Sequence, residues 1–343
     1  MEGVNTAISA ACRSELTAAV ARFQGPILTR SLGQLVVSLG GFAGVCAIMY
    51  ATVSVSYWLT LGLSVLAAGL LVRIFIIQHD CGHGAFFRSR RANDVVGILC
   101  SLLTLTPYAA WRRQHAGHHR MWNDLDRRRS GADIYSACLT VAEFQALTAW
   151  GRHWYRWTRH PVVSNVLLPP FIFVVLYRLP FDTPRAWKHE RRAVHVTNLG
   201  LAALIAGLGL LVGFERAMLV QLPIVIVASI IGVWLFTLQH RFERSLWARH
   251  SEWTFTTAAL AGSSYLRLPP ILRWFTGNIG FHHVHHLSPR VPNYRRNECH
   301  DSIAGLSNVP ILTLRTALRA PLFALWDENR HTMVTFRAAS RVA

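Results

Sequence analysis

Nine histidines in this sequence are spaced in a way that metal chemistry can use. His79 and His83, in Gln78-His79-Asp80-Cys81-Gly82-His83, are four residues apart, so on a helix both imidazoles leave one face about a turn apart and can grip one ion. His115, His118 and His119 repeat that spacing and add a neighbour turned by about 100° around the helix, a geometry that serves two ions. The same HxxHH pattern recurs at His282, His285 and His286, and His240 closes the last long apolar run. Nine imidazoles exceed the needs of one ion, so the pattern reads as a two-metal site; neutral imidazole suits zinc, copper, nickel or iron. His153, His160, His189, His195, His250, His300 and His331 stand alone and read as surface or interfacial polarity. His283 lies inside the third cluster but off its spacing, and is left outside the ligand set.

Three separate stretches of chain must be brought together to make such a site, and the elements between them are strongly apolar. Leu32 to Val53 and Tyr57 to Ile77 are each long enough to span a bilayer, and the short connection between them implies an antiparallel hairpin. Val196 to Phe214 and Ala217 to Leu238 repeat the plan around a turn holding Glu215 and Arg216. Val95 to Trp111, broken by Pro107, and Val162 to Tyr177, broken by Pro169 and Pro170, are short for full spans and read as buried or interfacial helices. A full crossing by Val95 to Trp111 would leave His79 and His115 on opposite sides, separated by about 30 Å of hydrocarbon.

The whole chain agrees with a lipid setting. Of its 343 residues 52% are hydrophobic and only 15% charged, where a soluble domain carries about 25%. That apolar content excludes disorder. The net charge of +18 is almost all arginine, with Lys188 the sole lysine, and it lies between apolar runs, which favours a membrane surface over nucleic acid. Positive residues crowd Arg88 to Arg91, Arg112 to Arg129, Arg152 to Arg192 and Arg241 to Arg296, while both hairpin turns are nearly bare. The positive-inside rule then puts the amino terminus and every long loop in the cytoplasm. The six cysteines are scattered without a CxxC pair and suggest neither a zinc ribbon nor a disulfide framework. The expected fold is an all-α integral membrane protein: two transmembrane helical hairpins, short membrane-embedded or interfacial helices, and a cytoplasmic histidine-rich cap. Residues 1–30 read as a cytoplasmic lead-in, 31–310 as the single domain, and 311–343 as a cytoplasmic tail.

The three clusters, in order and spacing, resemble the histidine boxes of the membrane fatty acid desaturases. The surroundings Gln78-His79-Asp80-Cys81-Gly82-His83-Gly84, Leu125-Asp126-Arg127-Arg128 and Gly277-Asn278-Ile279-Gly280-Phe281-His282, continuing through His285-His286-Leu287-Ser288-Pro289-Arg290-Val291-Pro292-Asn293-Tyr294, resemble the bacterial and plant acyl-lipid Δ12/ω6 and ω3 branch. The resemblance covers roughly residues 30 to 310. It implies two iron ions held almost wholly by histidine, O2 as co-substrate, and insertion of a cis double bond, near Δ12, into membrane-lipid acyl chains. By the same resemblance His79, His83, His115, His118, His119, His240, His282, His285 and His286 are the metal ligands. An external electron donor such as ferredoxin or a reductase is implied, in a bacterial inner membrane with the metal site on the cytoplasmic side. One departure stands out: acyl-CoA relatives carry an asparagine one turn before the histidine matched by His240, and Phe236 holds that position here.

Within this frame Asp80, Asp126, Asp133 and Glu143 are candidates either to orient imidazoles or to neutralise arginines such as Arg127, Arg128 and Arg129. Asn278 reads as a loop amide bonded to backbone. Trp111, Trp234 and Phe236 are candidates to shape an apolar tunnel. Histidine spacing does not separate a desaturase from a hydroxylase or ketolase of acyl chains, alkanes or carotenoids. A non-enzymatic metal carrier or sensor would place ligands along a path within the membrane, whereas these cluster beyond the apolar runs.

Overall fold

The computed structural model describes residues 10–128 and 137–341. After a short first helix, α1 (Ala10–Ala21), come α2 (Leu28–Thr52) and α3 (Tyr57–Gly82), then α4 (Arg90–Thr104) and α5 (Tyr108–Met121). Short helices α6 (Val141–Ala146), α7 (Ala149–Thr158) and α8 (Leu168–Val174) lead to the long α9 (Lys188–Val212) and α10 (Phe214–Leu238). The remainder includes α11 (Phe255–Ala261), α12 (Pro270–Phe275), α13 (His282–Leu287) and α14 (Arg296–Ser302).

Four helices, α2, α3, α9 and α10, are long and apolar enough to cross a membrane, and each overruns the apolar stretch that announces it. Composition marks where the chain must meet lipid, but backbone hydrogen bonding carries a helix on until something stops it. In α3 the overrun matters most: the helix continues past Ile77 through His79, and Gly84, at φ +66°, turns the chain away just after His83. α3 is the most enclosed of the four, packed by α2, α4 and α10. α9 is the most peripheral, with Leu210 and Leu211 more than three-quarters exposed, as suits a face turned to lipid.

The stretch from Val95 to Trp111 is broken by a sharp bend. Ser89 caps α4, Leu105 ends it in the left-handed region at φ 55°, and Pro107 starts α5, which departs at 101°. The later stretch is bent by 51° between α7 and the segment Val163–Arg178, with a π-helical turn just ahead of Pro169 and Pro170.

Beyond the helix ends, small sheets tie distant segments together. β1 (Leu139–Thr140) runs parallel to β4 (Leu325–Asp327), Leu139 opposite Leu325, and β4 pairs antiparallel with β5 (Thr332–Val334). β2 (Tyr265–Leu266) runs parallel to β3 (Ile311–Leu312). The chain after residue 310 is thereby hydrogen-bonded into the body.

Candidate metal centre

Histidines in or just after α3, α5, α10 and α13 converge on one point. Nitrogens of His79, His83, His115, His119 and His285 all lie within 4.8 Å of one another, and so do those of His118, His240 and His286. His282 completes the second group, its Nε2 standing 2.9 Å from that of His240 and 3.0 Å from that of His286. All nine sequence-predicted histidines are therefore brought together. The neighbours His118 and His119 fall in different groups, as do His285 and His286, because successive helical side chains diverge by about 100°. The His119 and His286 rings stack 4.3 Å apart and join the two groups. His79 and His115 have ring centroids 4.8 Å apart.

The nitrogens are placed for cations rather than for each other. His240 Nε2 lies 2.9, 3.1 and 3.2 Å from the Nε2 atoms of His282, His118 and His286. One imidazole nitrogen has one proton or one lone pair and so satisfies one such partner, not three. Two nitrogens bound at right angles to a first-row transition ion, each about 2.1 Å away, stand about 3 Å apart, which matches these spacings and those of His79–His285 and His115–His119, 3.0 and 3.1 Å. His83 Nε2 is buried with no hydrogen-bond partner among the described residues, an orphan that a cation would satisfy. Burial, and then repulsion from neighbouring imidazoles, holds His83, His115, His119, His282, His285 and His286 well below the ordinary histidine pKa. They are neutral at physiological pH, the form that binds a metal.

Of the acidic candidates among the described residues, Asp80 alone meets an imidazole. Its Oδ1 accepts from Arg296 Nη2 at 2.6 Å and lies 3.2 Å from His79 Nδ1, while Oδ2 accepts from the backbone N–H and Nδ2 of Asn293 at 2.7 and 2.9 Å. Asn293 in turn exchanges two hydrogen bonds with Gln34 of α2. Asp80 and Arg296 are both fully buried, so the carboxylate fixes His79 and pins the segment after α13 to α2 and α3. Arg296 and Gln34 are functional neighbours that sequence reasoning missed; neither has a spacing that links it to His79. Asp126 instead accepts from Arg249 and the backbone of His250. Glu143 pairs with Arg128 and completes the capping box of α6. Asp133 lies outside the described residues. Asn278 donates to the Asn293 carbonyl at 3.0 Å, the backbone partner expected of it. His283 turns away from both groups to His300, 2.9 Å from its Nδ1, and burial pushes its pKa down to about 3.

Aromatic rings wall the site. Trp111 stacks on His115 at 4.7 Å, and Phe236 packs 5.0 Å from His118 in the place of the asparagine. Trp122, which sequence reasoning did not single out, packs edge to face on His286 with ring centroids 3.4 Å apart. Trp111 and Phe236 also line a cavity of about 130 Å³ that starts at His115 and His118 and runs between α3 and α10. Trp234 packs in the core between the long helices and does not line it.

Comparison with known proteins adds the chemistry. The family described as fatty acid desaturase matches residues 56–309. A protein of Bacillus subtilis (strain 168) named fatty acid desaturase is 43% identical over 330 residues, 96% of this chain and 92% of its own length. The sn-1 acyl-lipid omega-3 desaturase (ferredoxin) of Synechocystis is 26% identical over 291 residues, 81% of this chain and 76% of that one. The Delta(12) fatty acid dehydrogenase of Crepis alpina is 26% identical over 288 residues, covering 77% and 71%.

Proposed function

Since the chain belongs to the fatty acid desaturase family, a family of oxidoreductases, we propose that it inserts a cis double bond, near Δ12, into acyl chains of membrane lipids, with two irons held by the nine histidines. The observation that carries the reading is the pairing of two imidazole groups with an apolar cavity that opens on them. His79, His83, His115, His119 and His285 would hold one iron, and His118, His240, His282 and His286 the other. Bound there, iron supplies the one-electron oxygen chemistry that an unactivated methylene demands. In sum, two hydrogens leave the chain, two electrons and two protons arrive from outside, and O2 departs as two waters.

The protein's own part is positioning and exclusion. Neutral imidazoles keep the ligand nitrogens unprotonated, Asp80 fixes the His79 ring, and Trp111 and Phe236 close the site against water while leaving the cavity as the approach. Two hairpins, α2–α3 and α9–α10, would cross the bilayer, with the histidines on the cytoplasmic side of a bacterial inner membrane, where the arginine-rich loops also lie. Residues 31–310 form the catalytic domain in this reading, with 1–30 and 311–343 as cytoplasmic flanks. Electrons come from a separate donor; the Synechocystis relative's name specifies ferredoxin, and an arginine-rich face suits an acidic partner of that kind.

The test is expression in a host whose lipids are mainly saturated and monounsaturated, with a competent donor, followed by mass spectrometry of the acyl chains. A new diene supports the proposal. An oxygenated chain reassigns the enzyme as a hydroxylase, and iron-free active protein overturns the metal assignment.

A further inference from the structure

Trp122 meets the histidines from a side that the cavity does not use. Its ring centroid lies 3.4, 5.2 and 6.0 Å from those of His286, His240 and His118, three of the four histidines in the second group. Trp111 and Phe236 line the cavity, whereas Trp122 does not. Trp122 is buried, and its Nε1 has no hydrogen-bond partner among the described residues. An unsatisfied buried donor costs stability, and a phenylalanine or leucine would fill much of the space without that cost. Packing alone gives no reason for an indole here.

From Trp122 the way to the surface is short. Its carbonyl oxygen accepts a hydrogen bond from Nε1 of Trp253 at 3.0 Å, and both residues belong to one apolar cluster with Ala258, Ala259 and Leu287. Trp253 is half-buried and follows the exposed His250, Ser251 and Glu252, so this second indole lies at the protein surface. Backbone bonds fix the two segments on each other: Ala248 donates to the Asn123 carbonyl at 3.1 Å, and Leu125 donates to the Ala248 carbonyl at 2.9 Å. Arg249, whose carbonyl accepts from the Trp253 N–H, has its own charge met by Asp126 and Glu328. Trp253 thus offers an aromatic contact, and the wider arginine-rich face supplies the attraction for an acidic partner.

Electrons cross a protein by tunnelling, which falls off steeply over empty gaps and is carried best by covalent bonds, hydrogen bonds and touching rings. The geometry points to Trp253 and Trp122 as the route by which a soluble iron–sulfur protein delivers electrons to the ion held by His118, His240, His282 and His286. This rests on the desaturase reading and deepens it. Each delivery oxidises the donor's cluster by one electron and reduces a ferric ion to ferrous; two deliveries serve one double bond, and neither indole keeps a charge. The cavity is left to the lipid chain, and the surface at Trp253 to the donor.

The experiment mixes iron-loaded, oxidised protein with a plant-type ferredoxin kept reduced by its NADPH-dependent reductase, without oxygen or acyl substrate, and follows loss of the ferric absorbance by stopped flow. Dithionite, small enough to need no docking site, is the control reductant, and iron content is measured beside each trace. Trp122→Leu and Trp253→Leu are expected to lose the fast reduction by ferredoxin while keeping wild-type iron content and wild-type reduction by dithionite. Trp122→Phe, which keeps a ring against His286, is expected to recover most of it. Trp150→Leu, at an exposed indole of α7, is expected to change nothing. Reduction by ferredoxin at the wild-type rate in either leucine variant overturns the inference. Equal slowing with dithionite does so too, being the mark of a damaged centre, as does a wild type that dithionite reduces and ferredoxin does not. Should Trp122→Leu lose iron, Trp253→Leu, the outer of the two, decides alone. Because the reduction needs no substrate, the route is decided even where no double bond forms and the desaturase reading fails.

Discussion

His79 and His285 are 206 positions apart in the chain, yet their Nε2 atoms stand 3.0 Å from each other in the buried heart of the protein. The last turn of α3 and the middle of the six-residue α13 thus share one vertex of the site, and Asp80 holds that vertex from behind through His79 Nδ1 and Arg296.

Removing one nitrogen from that arrangement leaves the others without a complete ion. His118→Ala is expected to abolish turnover and to lower iron content, most of all in the group it shares with His240 and His286. Metal analysis of purified protein beside product yield checks both; full activity in this variant refutes the ligand assignment.

Asp80→Asn keeps the shape but removes the charge facing Arg296 and weakens the acceptor for His79. Losing such support behind a ligand costs about 10–100-fold in metal affinity or activity, and leaving Arg296 buried and unpaired costs about 3–5 kcal/mol. Arg296→Met added to Asp80→Asn is expected to recover stability but not iron affinity. Thermal melting and iron titration of single and double variants separate the two effects.

Acid is expected to destabilise the metal-free protein. Histidines 83, 115, 119, 282, 285 and 286 have pKa values depressed by burial, so below about pH 6.5 the unfolded chain takes up protons that the folded one refuses. Their contribution is fully present above that pH and fades as the pH falls. A melting temperature that is flat between pH 5 and about pH 7 contradicts the buried, neutral cluster.

Gly97 of α4 lies against the buried Tyr108 ring at the start of α5, where an added Cβ would come within 2.3 Å of the ring. Gly97→Ala is expected to cost about 1–3 kcal/mol by overpacking, and to reduce activity by shifting the helix that carries His115, His118 and His119. Stability comparable to wild type, read by thermal unfolding in detergent, disproves the tight packing of α4 on α5.

The sequence alone determined the apolar helices and the nine histidines, because each is a local signal: a run of side chains that lipid accepts, or a spacing that one helical turn converts into a shared face. It also marked the break at Pro107, where the structure bends the chain by 101° between α4 and α5. Other facts depended on the tertiary structure. Which imidazoles gather into one group is set by the mutual rotation of α3, α5, α10 and α13, and no spacing within one helix encodes that. Among the described acidic candidates Asp80 alone reached an imidazole, because Arg296 and Asn293, more than 200 residues away, close over it. Asp126 and Glu143, equally plausible by proximity in sequence, found arginines first. Long-range contacts between buried polar groups are chosen by three-dimensional packing, so the histidine spacings were legible one helix at a time and the groups that support them only once the helices met.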